Sequence, residues 1–217
     1  MTTQYPEEPV QPTNLVRSDY DLSTLSDLAD SSHLTTLSLH SSDISDLSPL
    51  AKLAQLTTLN LRHCTQVSDL SPLASLSHLS RLVLHCPQVS DLGPLAGLSR
   101  LSRLVLFSCS QVRDLSPLAG LSQLTELVLF SCKQVRNLSP LAGLSRLTTL
   151  DLRSCTQVSD LSPLAGLSQL ITLDLRGCTR VKDLSPLAGL TKLTTLHLHF
   201  SHDSSPLAGL SQLTIAW

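Results

Sequence analysis

Leucine recurs along this chain with a period that few folds can accommodate. Leucine fills 52 of the 217 positions, whereas Phe, Tyr and Trp together make up 3% of the chain. Self-similarity at a fixed period of roughly 20 to 50 residues indicates stacked repeats. We therefore expect each segment to form one coil of a solenoid. Segments spaced 22 or 23 residues apart open at Leu34, Leu56, Leu79, Leu101, Leu124, Leu147, Leu170 and Leu193.

One repeat, residues 147–169, shows what each coil should contain. Leu150 and Leu152 alternate with polar residues, which is the pattern of a strand with one buried face. Ser162 before Pro163 predicts an N-cap followed by proline at the first helical position. The resulting helical or 3₁₀ turn should be limited to about one turn by Gly166. Such a coil cannot fold alone, so stacking should bury the leucines and align the strands in a parallel sheet.

The repeat also resembles a known family. It follows the leucine-rich repeat pattern L-x-x-L-x-L-x-x-N/C-x-L, and the recurring DLSPLAGL of residues 160–167 is similar to repeats of bacterial internalins and of the leucine-rich regulatory subunit of protein phosphatase one. The resemblance implies an α/β solenoid, a right-handed horseshoe with a parallel concave β-sheet and short 3₁₀ or helical turns on the convex side. It also implies recognition of another protein on the concave face. In such repeats an Asn or Cys after the strand reaches backbone groups of the neighbouring coil. The residues at this position here are cysteines: Cys64, Cys109, Cys132, Cys155 and Cys178.

The composition of the two ends suggests how the stack is bounded. Residues 1–21 are predicted to be a disordered tail because prolines and charges dominate their first half. Residues 22–33 keep the leucine spacing without a strand, as an N-terminal half-coil cap would. Residues 34–217 are predicted to form about eight repeats, the last one shortened. Trp217 either covers the end of the leucine stack or is a loose chain end.

Charge and targeting signals narrow the partners and the compartment. Fifteen basic and 17 acidic residues give a net charge of −2, which leaves no positive surplus for nucleic acid or an anionic bilayer. The first residues lack a basic, then apolar, signal pattern, and no stretch approaches ~18 apolar residues. We expect a cytoplasmic monomer with a protein partner, and delivery into another cell stays open.

The sequence does not favour catalysis. It contains no P-loop, G-x-S-x-G, H-E-x-x-H or C-x-x-C motif. A repeat that copies one residue per coil produces rows of like side chains, whereas an active site needs different groups that converge on one point. We predict that the chain is not an enzyme and needs no cofactor.

Three rows of polar residues could nevertheless carry chemistry. The cysteines are interpreted as buried free thiols rather than disulfides or a metal site; Cys86 stands apart because its repeat is one residue short. Recurring aspartates before the Ser-Pro turns should satisfy backbone amides, with calcium binding as the alternative; they are Asp69, Asp91, Asp114, Asp160 and Asp183, with Asn137 in the same place. A divalent metal site at His197, His199, His202 and Asp174 is a further possibility, set against chance proximity on a polar surface.

The positions that the repeat leaves variable predict a binding surface. The first, fourth and sixth residues of each repeat should face inward, and the second, third, fifth, seventh and eighth should face the concave solvent side. An apolar patch is then expected at Val83, Val105, Val128, Phe107 and Phe130. Its charged rim should contain Arg81, Arg103 and Glu126 on one side and Asp151, Arg153, Asp174 and Arg176 beyond it.

An apolar centre with an Arg-rich rim is typical of protein-binding hot spots. The sequence therefore predicts a non-catalytic protein-interaction module. Two alternatives remain: a structural spacer whose strands merely favour such residues, or a regulatory subunit of a separate enzyme.

Overall fold

The ten strands form one parallel sheet in which strand order equals chain order. The computed structural model describes residues 14–18, 32–40, 43–199 and 202–216. This arrangement confirms the predicted solenoid, because each strand pairs only with the strands of the coils before and after it. The strands are β1 (Asn14–Ser18), β2 (Thr36–His40), β3 (Thr58–Arg62), β4 (Arg81–Leu84), β5 (Arg103–Phe107), β6 (Glu126–Phe130), β7 (Thr149–Asp151), β8 (Thr172–Asp174), β9 (Thr195–His197) and β10 (Thr214–Ala216).

Short 3₁₀ turns return the chain between strands, and the described residues contain no α-helix. Each turn carries proline near its start, where the missing amide proton costs nothing. None of these short helices is long and apolar enough to cross a membrane, within the part of the chain described. The turns span Ser48–Lys52, Ser71–Ser75, Gly93–Leu95, Ser116–Leu118, Ser139–Leu141, Ser162–Leu164, Ser185–Leu187 and Ser205–Leu207.

The N-cap prediction for Ser162 is wrong. Ser162 is the first residue of its turn, the cap position belongs to Leu161, and no side chain caps the turn from there. The carboxylate of Asp160 accepts the Ser162 amide hydrogen instead, at 2.8 Å. Because Asp160 already supplies the acceptor from two residues earlier, a serine cap is not needed.

The core is a continuous column of leucine. Leu147, Leu150 and Leu152, the first, fourth and sixth residues of their repeat, have no exposed surface. The same three positions are buried in every coil from Leu56 to Leu198, together with a cysteine or valine further along most coils. The inward phase of the strand pattern is therefore as predicted.

The N-terminal strand departs from the prediction of a disordered tail over residues 1–21. Residues Asn14–Ser18 form β1, which pairs in parallel with β2 from Asn14 opposite Thr36 to Ser18 opposite His40. Leu15 is half-buried against the leucine core. A strand here gives the backbone groups of β2 hydrogen-bonding partners that an edge strand lacks. The predicted cap at 22–33 lies outside the described residues up to position 31, as does Trp217.

Among the described residues, a left-handed residue follows the strand in five coils. His63, Ser108, Ser131, Ser154 and Gly177 have φ between 53° and 78° and occupy the eighth position of their repeats. Gly177 is suited to this place because a Cβ there would lie 3.1 Å from the Ser154 backbone. The coil of β4 omits the position, since Cys86 follows His85 directly.

Candidate functional site

The exposed, concave face of the sheet brings the predicted apolar patch together. The register sets Val83 beside Val105 and Val105 beside Val128. Phe107 pairs with Phe130 on the next strand. Val105 is half-buried and Phe107 is 41% exposed, whereas the leucines between them are fully buried. The central patch, defined as these three valines and two phenylalanines, is therefore contiguous on one face.

The rings of this face form a continuous row across four strands. Phe107 and Phe130 are stacked, with centroids 4.6 Å apart and planes inclined by 21°. His85 meets Phe107 edge-on at 5.3 Å, and His63 meets His85 at 4.9 Å. At the other end the guanidinium of Arg153 lies over the Phe130 ring, 5.0 Å from its centroid. Edge-on, offset and cation–π contacts of these kinds are all favourable.

The two histidines of this row were not among the predicted site residues. His85 is the seventh residue of its repeat, as Phe107 and Phe130 are of theirs. The repeat alone therefore places it on the concave face. His63 lies one position later, in the left-handed turn after β3. Its contact with His85 depends on a backbone conformation that the leucine spacing does not reveal.

Partial burial favours the uncharged form of the His85 ring. Desolvation, and to a smaller degree the neighbouring His63, lower the pKa of His85 below its usual value. The lowered pKa favours the neutral ring, which packs against Phe107 without a charge to solvate.

Two shallow depressions lie on either side of the phenylalanine pair. The first encloses about 250 Å³ and is lined by Arg62, His63, Val83, His85, Val105 and Phe107. The second, about 350 Å³, extends from β5 to β9 and includes Phe107, Val128, Glu126, Asp151, Arg153, Asp174 and His197. The central patch thus opens on one side toward two histidines and Arg62, and on the other toward several acidic and basic side chains.

Most of the charged residues predicted to surround the apolar patch form ion pairs with one another. Arg103 and Glu126 approach to 2.6 Å across β5 and β6. Arg153 contacts Asp151 at 2.6 Å and Asp174 at 3.5 Å. Arg176 contacts Asp174 at 2.5 Å. The hydrogen bonds that Arg153 donates to Asp151, and Arg176 to Asp174, raise the pKa of both arginines. Arg81, the remaining predicted rim residue, is exposed on β4.

The fifth-position aspartates are buried, contrary to the prediction that they face solvent. Asp151 and Asp174 are 9% and 5% exposed. Each accepts the backbone amide of the arginine two residues later, at 2.9 Å and 3.0 Å, while the same arginine folds over it. These side-chain acceptors coincide with strands that end at the aspartate, so β7 and β8 have three residues where β5 and β6 have five.

The cysteines form the expected row of buried thiols. All six are free and buried, and five donate to a backbone carbonyl of the preceding coil. Cys155 reaches the Leu129 oxygen at 2.9 Å, and Cys178 reaches the Leu152 oxygen at 3.0 Å. Desolvation raises the pKa of Cys109 to about 11 and that of Cys178 to about 12. These groups are neutral parts of the core.

The aspartate row is confirmed as a set of amide acceptors. Each carboxylate accepts a backbone N–H two residues ahead at 2.7 to 2.9 Å, and Asn137 does the same for Ser139 with its amide oxygen. The pattern extends to Asp46 and Asp203 at the first and last described turns. Hydrogen bonds from the following serine lower the pKa of Asp69, Asp114, Asp160 and Asp183.

The C-terminal histidines are not assembled as a metal centre. Asp174 lies beside His197 in the sheet register, but its carboxylate binds Arg176 and Arg153. The Nδ1 of His202 lies 2.8 Å from the carbonyl oxygen of His199. Across the described part of the chain, no group of three or more His, Cys, Asp or Glu side chains is placed to hold a metal ion.

Comparisons with known proteins agree with this architecture. The family model for leucine-rich repeats in two copies matches residues 32–75, 55–97 and 122–166. Comparison with curated protein sequences gave no significant match. A chain of the Toll–Spätzle complex from Drosophila is 17% identical, covers 76% of this chain and 23% of that one, and has a TM-score of 0.60, which is a likeness of fold.

Two solved structures from Listeria monocytogenes are more similar in sequence. Internalin C2 is 35% identical over 87% of this chain and 83% of its own, with a TM-score of 0.71. The internalin InlF is 30% identical over 88% of this chain and 69% of its own, with a TM-score of 0.51. With the repeat, the parallel sheet and the 3₁₀ turns, this similarity shows that the chain belongs to the leucine-rich repeat family and has repeats of the internalin type.

Proposed function

We propose that this chain is a non-catalytic protein-interaction module that binds a protein partner over the central patch. The observation that carries the proposal is the stacked pair Phe107 and Phe130 on the concave face. Phe107 is 41% exposed in a chain whose core leucines are fully buried. The pair adds little to the leucine core, and exposed aromatic anchors of this kind dominate the energetics of protein interfaces.

The surroundings of the pair support the same function. Valines flank it, and the arginines next to it are already ion-paired. A partner that covers the patch therefore buries apolar surface without stripping water from many uncompensated charges, which would be costly. The rim residues Arg103, Glu126, Arg153 and Arg176 would border such a contact.

A cytoplasmic location is part of the proposal. Six free thiols in one chain suit a reducing compartment. Alkylation of the protein from its cells in a denaturing buffer, which exposes the buried thiols, should give six modified cysteines. A fraction with fewer modified cysteines, restored by reductant, would contradict the location.

The binding proposal is tested with the double variant Phe107→Ser, Phe130→Ser. A protein captured from a lysate with the wild-type chain should bind the double variant about 2 to 4 kcal/mol more weakly in calorimetry, as expected for a hot-spot pair. The matched control is Ile171→Ser, because Ile171 is 43% exposed, much like Phe107, but lies outside the central patch. The control should bind as the wild type does.

Unfolding measurements decide between the remaining outcomes. The double variant should unfold at nearly the wild-type temperature because neither ring belongs to the leucine core. If it is stable and binds every captured protein with unchanged affinity, the patch is only strand composition and the spacer alternative is correct.

A further inference from the structure

Positive charge on the concave face is unevenly balanced. The outward positions of β2 to β5 contain three arginines and one histidine but no Asp or Glu, and a second histidine, His85, directly follows β4. The first acidic residue on this face is Glu126 in β6. From β6 onward, Glu126, Asp151 and Asp174 each face an arginine partner.

Two arginines of the concave face have no counter-ion among the described residues. Arg62 in β3 and Arg81 in β4 are both exposed. Within the described part of the chain, neither side chain takes part in an ion pair or hydrogen bond, whereas Arg103, Arg153 and Arg176 all do. Among the described residues, the concave face therefore presents unpaired arginines on β3 and β4, whereas its arginines from β5 onward are ion-paired.

One of these cations, Arg62, borders the first depression, and the other, Arg81, lies on the neighbouring strand β4 outside its lining. Val83 and Val105 form its apolar floor, His85 and Phe107 supply ring surfaces, and Arg62 lies at its edge. The interior is therefore lined by apolar and ring surfaces, while its margin carries the cation of Arg62. A complementary ligand therefore has an apolar group that packs on Val83 and Val105 and a carboxylate that pairs with Arg62.

We infer that the partner presents an extended acidic segment with an apolar anchor, whose carboxylates pair with Arg62 and Arg81 while its anchor packs on Phe107 and Phe130. This inference rests on the proposed function and specifies its partner. Strands β3 and β6 are separated by three strand spacings, roughly 14 Å. An extended peptide covers that distance in about four residues, so acid and anchor should be about four residues apart. Charge complementarity of this type sets specificity and association rate.

The test selects peptides from a displayed library of random twelve-residue sequences on the wild-type chain. Selected peptides are then synthesised, and their affinities are measured by fluorescence anisotropy on wild type and on Arg62→Gln, Arg81→Gln. The matched control is Arg100→Gln, Arg113→Gln, which removes the same charge from exposed positions outside the strands. Phe107→Ser, Phe130→Ser is measured in parallel.

We expect the selected peptides to be rich in Asp and Glu, with an aromatic or aliphatic residue about four positions from an acid. Loss of Arg62 and Arg81 should weaken them about tenfold or more at low salt, with a smaller difference as salt rises. The Arg100 and Arg113 control should bind normally.

Other results overturn the inference in distinguishable ways. The inference is overturned if the selected peptides are not enriched in acidic residues. It is also overturned if they bind the Arg62→Gln, Arg81→Gln variant as tightly as the Arg100→Gln, Arg113→Gln control. In both cases the proposed function still stands if the Phe107→Ser, Phe130→Ser variant loses binding. A twelve-nucleotide oligothymidylate that binds through Arg62 and Arg81 more tightly than the peptides overturns the inference in favour of nucleic acid. If no selected peptide depends on Phe107 and Phe130, the proposed function fails as well.

Discussion

Single polar side chains hold the irregular backbone of each coil. A cysteine thiol donates to a carbonyl of the preceding coil, as Cys155 does to Leu129. An aspartate accepts an amide at the opening of the 3₁₀ turn, as Asp160 does from Ser162. Both groups satisfy backbone atoms that neither the strand nor the short turn can reach.

The thiols should be almost inert in the folded chain. Burial raises the pKa of Cys109 to about 11 and of Cys178 to about 12, so the thiolate fraction at pH 8 is small. A disulfide-exchange reagent should modify all six cysteines slowly at pH 8 and quickly in guanidinium. Rapid labelling of the native chain would contradict the buried row.

The same pKa shifts predict lower stability in alkali. The unfolded chain releases thiol protons above pH 9, whereas the folded chain retains them. The stabilising contribution is therefore complete below pH 9 and is lost as the pH rises from 9 toward 11. Urea denaturation at pH 8 and pH 10 measures the change.

The buried Asp174 should make Arg176 important for folding. Arg176→Ala removes the 2.5 Å partner of a carboxylate that is 5% exposed. We expect the free energy of unfolding to fall by about 1–3 kcal/mol, the cost of an under-compensated buried polar group. In an Asp174→Asn background the same replacement should cost less, because no charge is left behind. Equal costs in urea denaturation of the two backgrounds would show that the pair is not coupled.

The leucine period could predict more of the fold than of the site. It determines which residues face inward, and it placed Val83, Val105, Phe107 and Phe130 on one exposed face. It does not predict which outward-facing side chain is covered by another. Asp151 was therefore predicted to be exposed although Arg153 covers it. The strand at residues 14–18 was missed because that segment lacks the repeat pattern.

At the scale of elements, polar side chains set where turns begin and strands end. Every described 3₁₀ turn is preceded by an aspartate or asparagine that accepts an amide of the turn. In β7 and β8 an aspartate within the strand plays a similar role for the next arginine. The length of each element therefore follows from side-chain acceptors as well as from hydrophobic pattern.

Replacing Asp160 should show what the turn needs. Asp160→Asn should unfold close to the wild-type temperature at pH 7, because Asn137 already fills this role in the preceding coil. Asp160→Ala should unfold at a lower temperature, because the Ser162 amide loses its acceptor.

Acid gives a second measurement of the same contact. Hydrogen bonds from the hydroxyl and amide of Ser162 lower the pKa of Asp160 below 3.8. The contribution to stability is present above pH 3.8 and is lost as the pH falls below it. The difference between wild type and Asp160→Ala should therefore shrink in melts at pH 2.5. A difference that stays constant would mean that the charge of Asp160 is not involved.

For the whole molecule, stability should be a sum over neighbouring coils. Each strand and each turn contacts only its equivalents in the adjacent coils, among the described elements. Removing one complete repeat should therefore leave a foldable chain. Deletion of residues 147–169 joins Arg146 to Leu170 in the correct phase and should retain a sheet-dominated circular dichroism spectrum, with a smaller urea m-value.

A deletion of residues 147–158 is the control for that experiment. It removes a strand but keeps the following turn, so the leucine phase is lost and the chain should unfold or aggregate. If both deletions fold equally well, the coils are not the units of stability.

The parallel order of the sheet also has a mechanical consequence. Hydrogen bonds between strands run along the axis of the stack, so a force applied to the two ends loads the coils one after another rather than together. A stretched molecule should lengthen in steps, each releasing one coil of 22 or 23 residues. Each step corresponds to roughly 75 Å of extended chain.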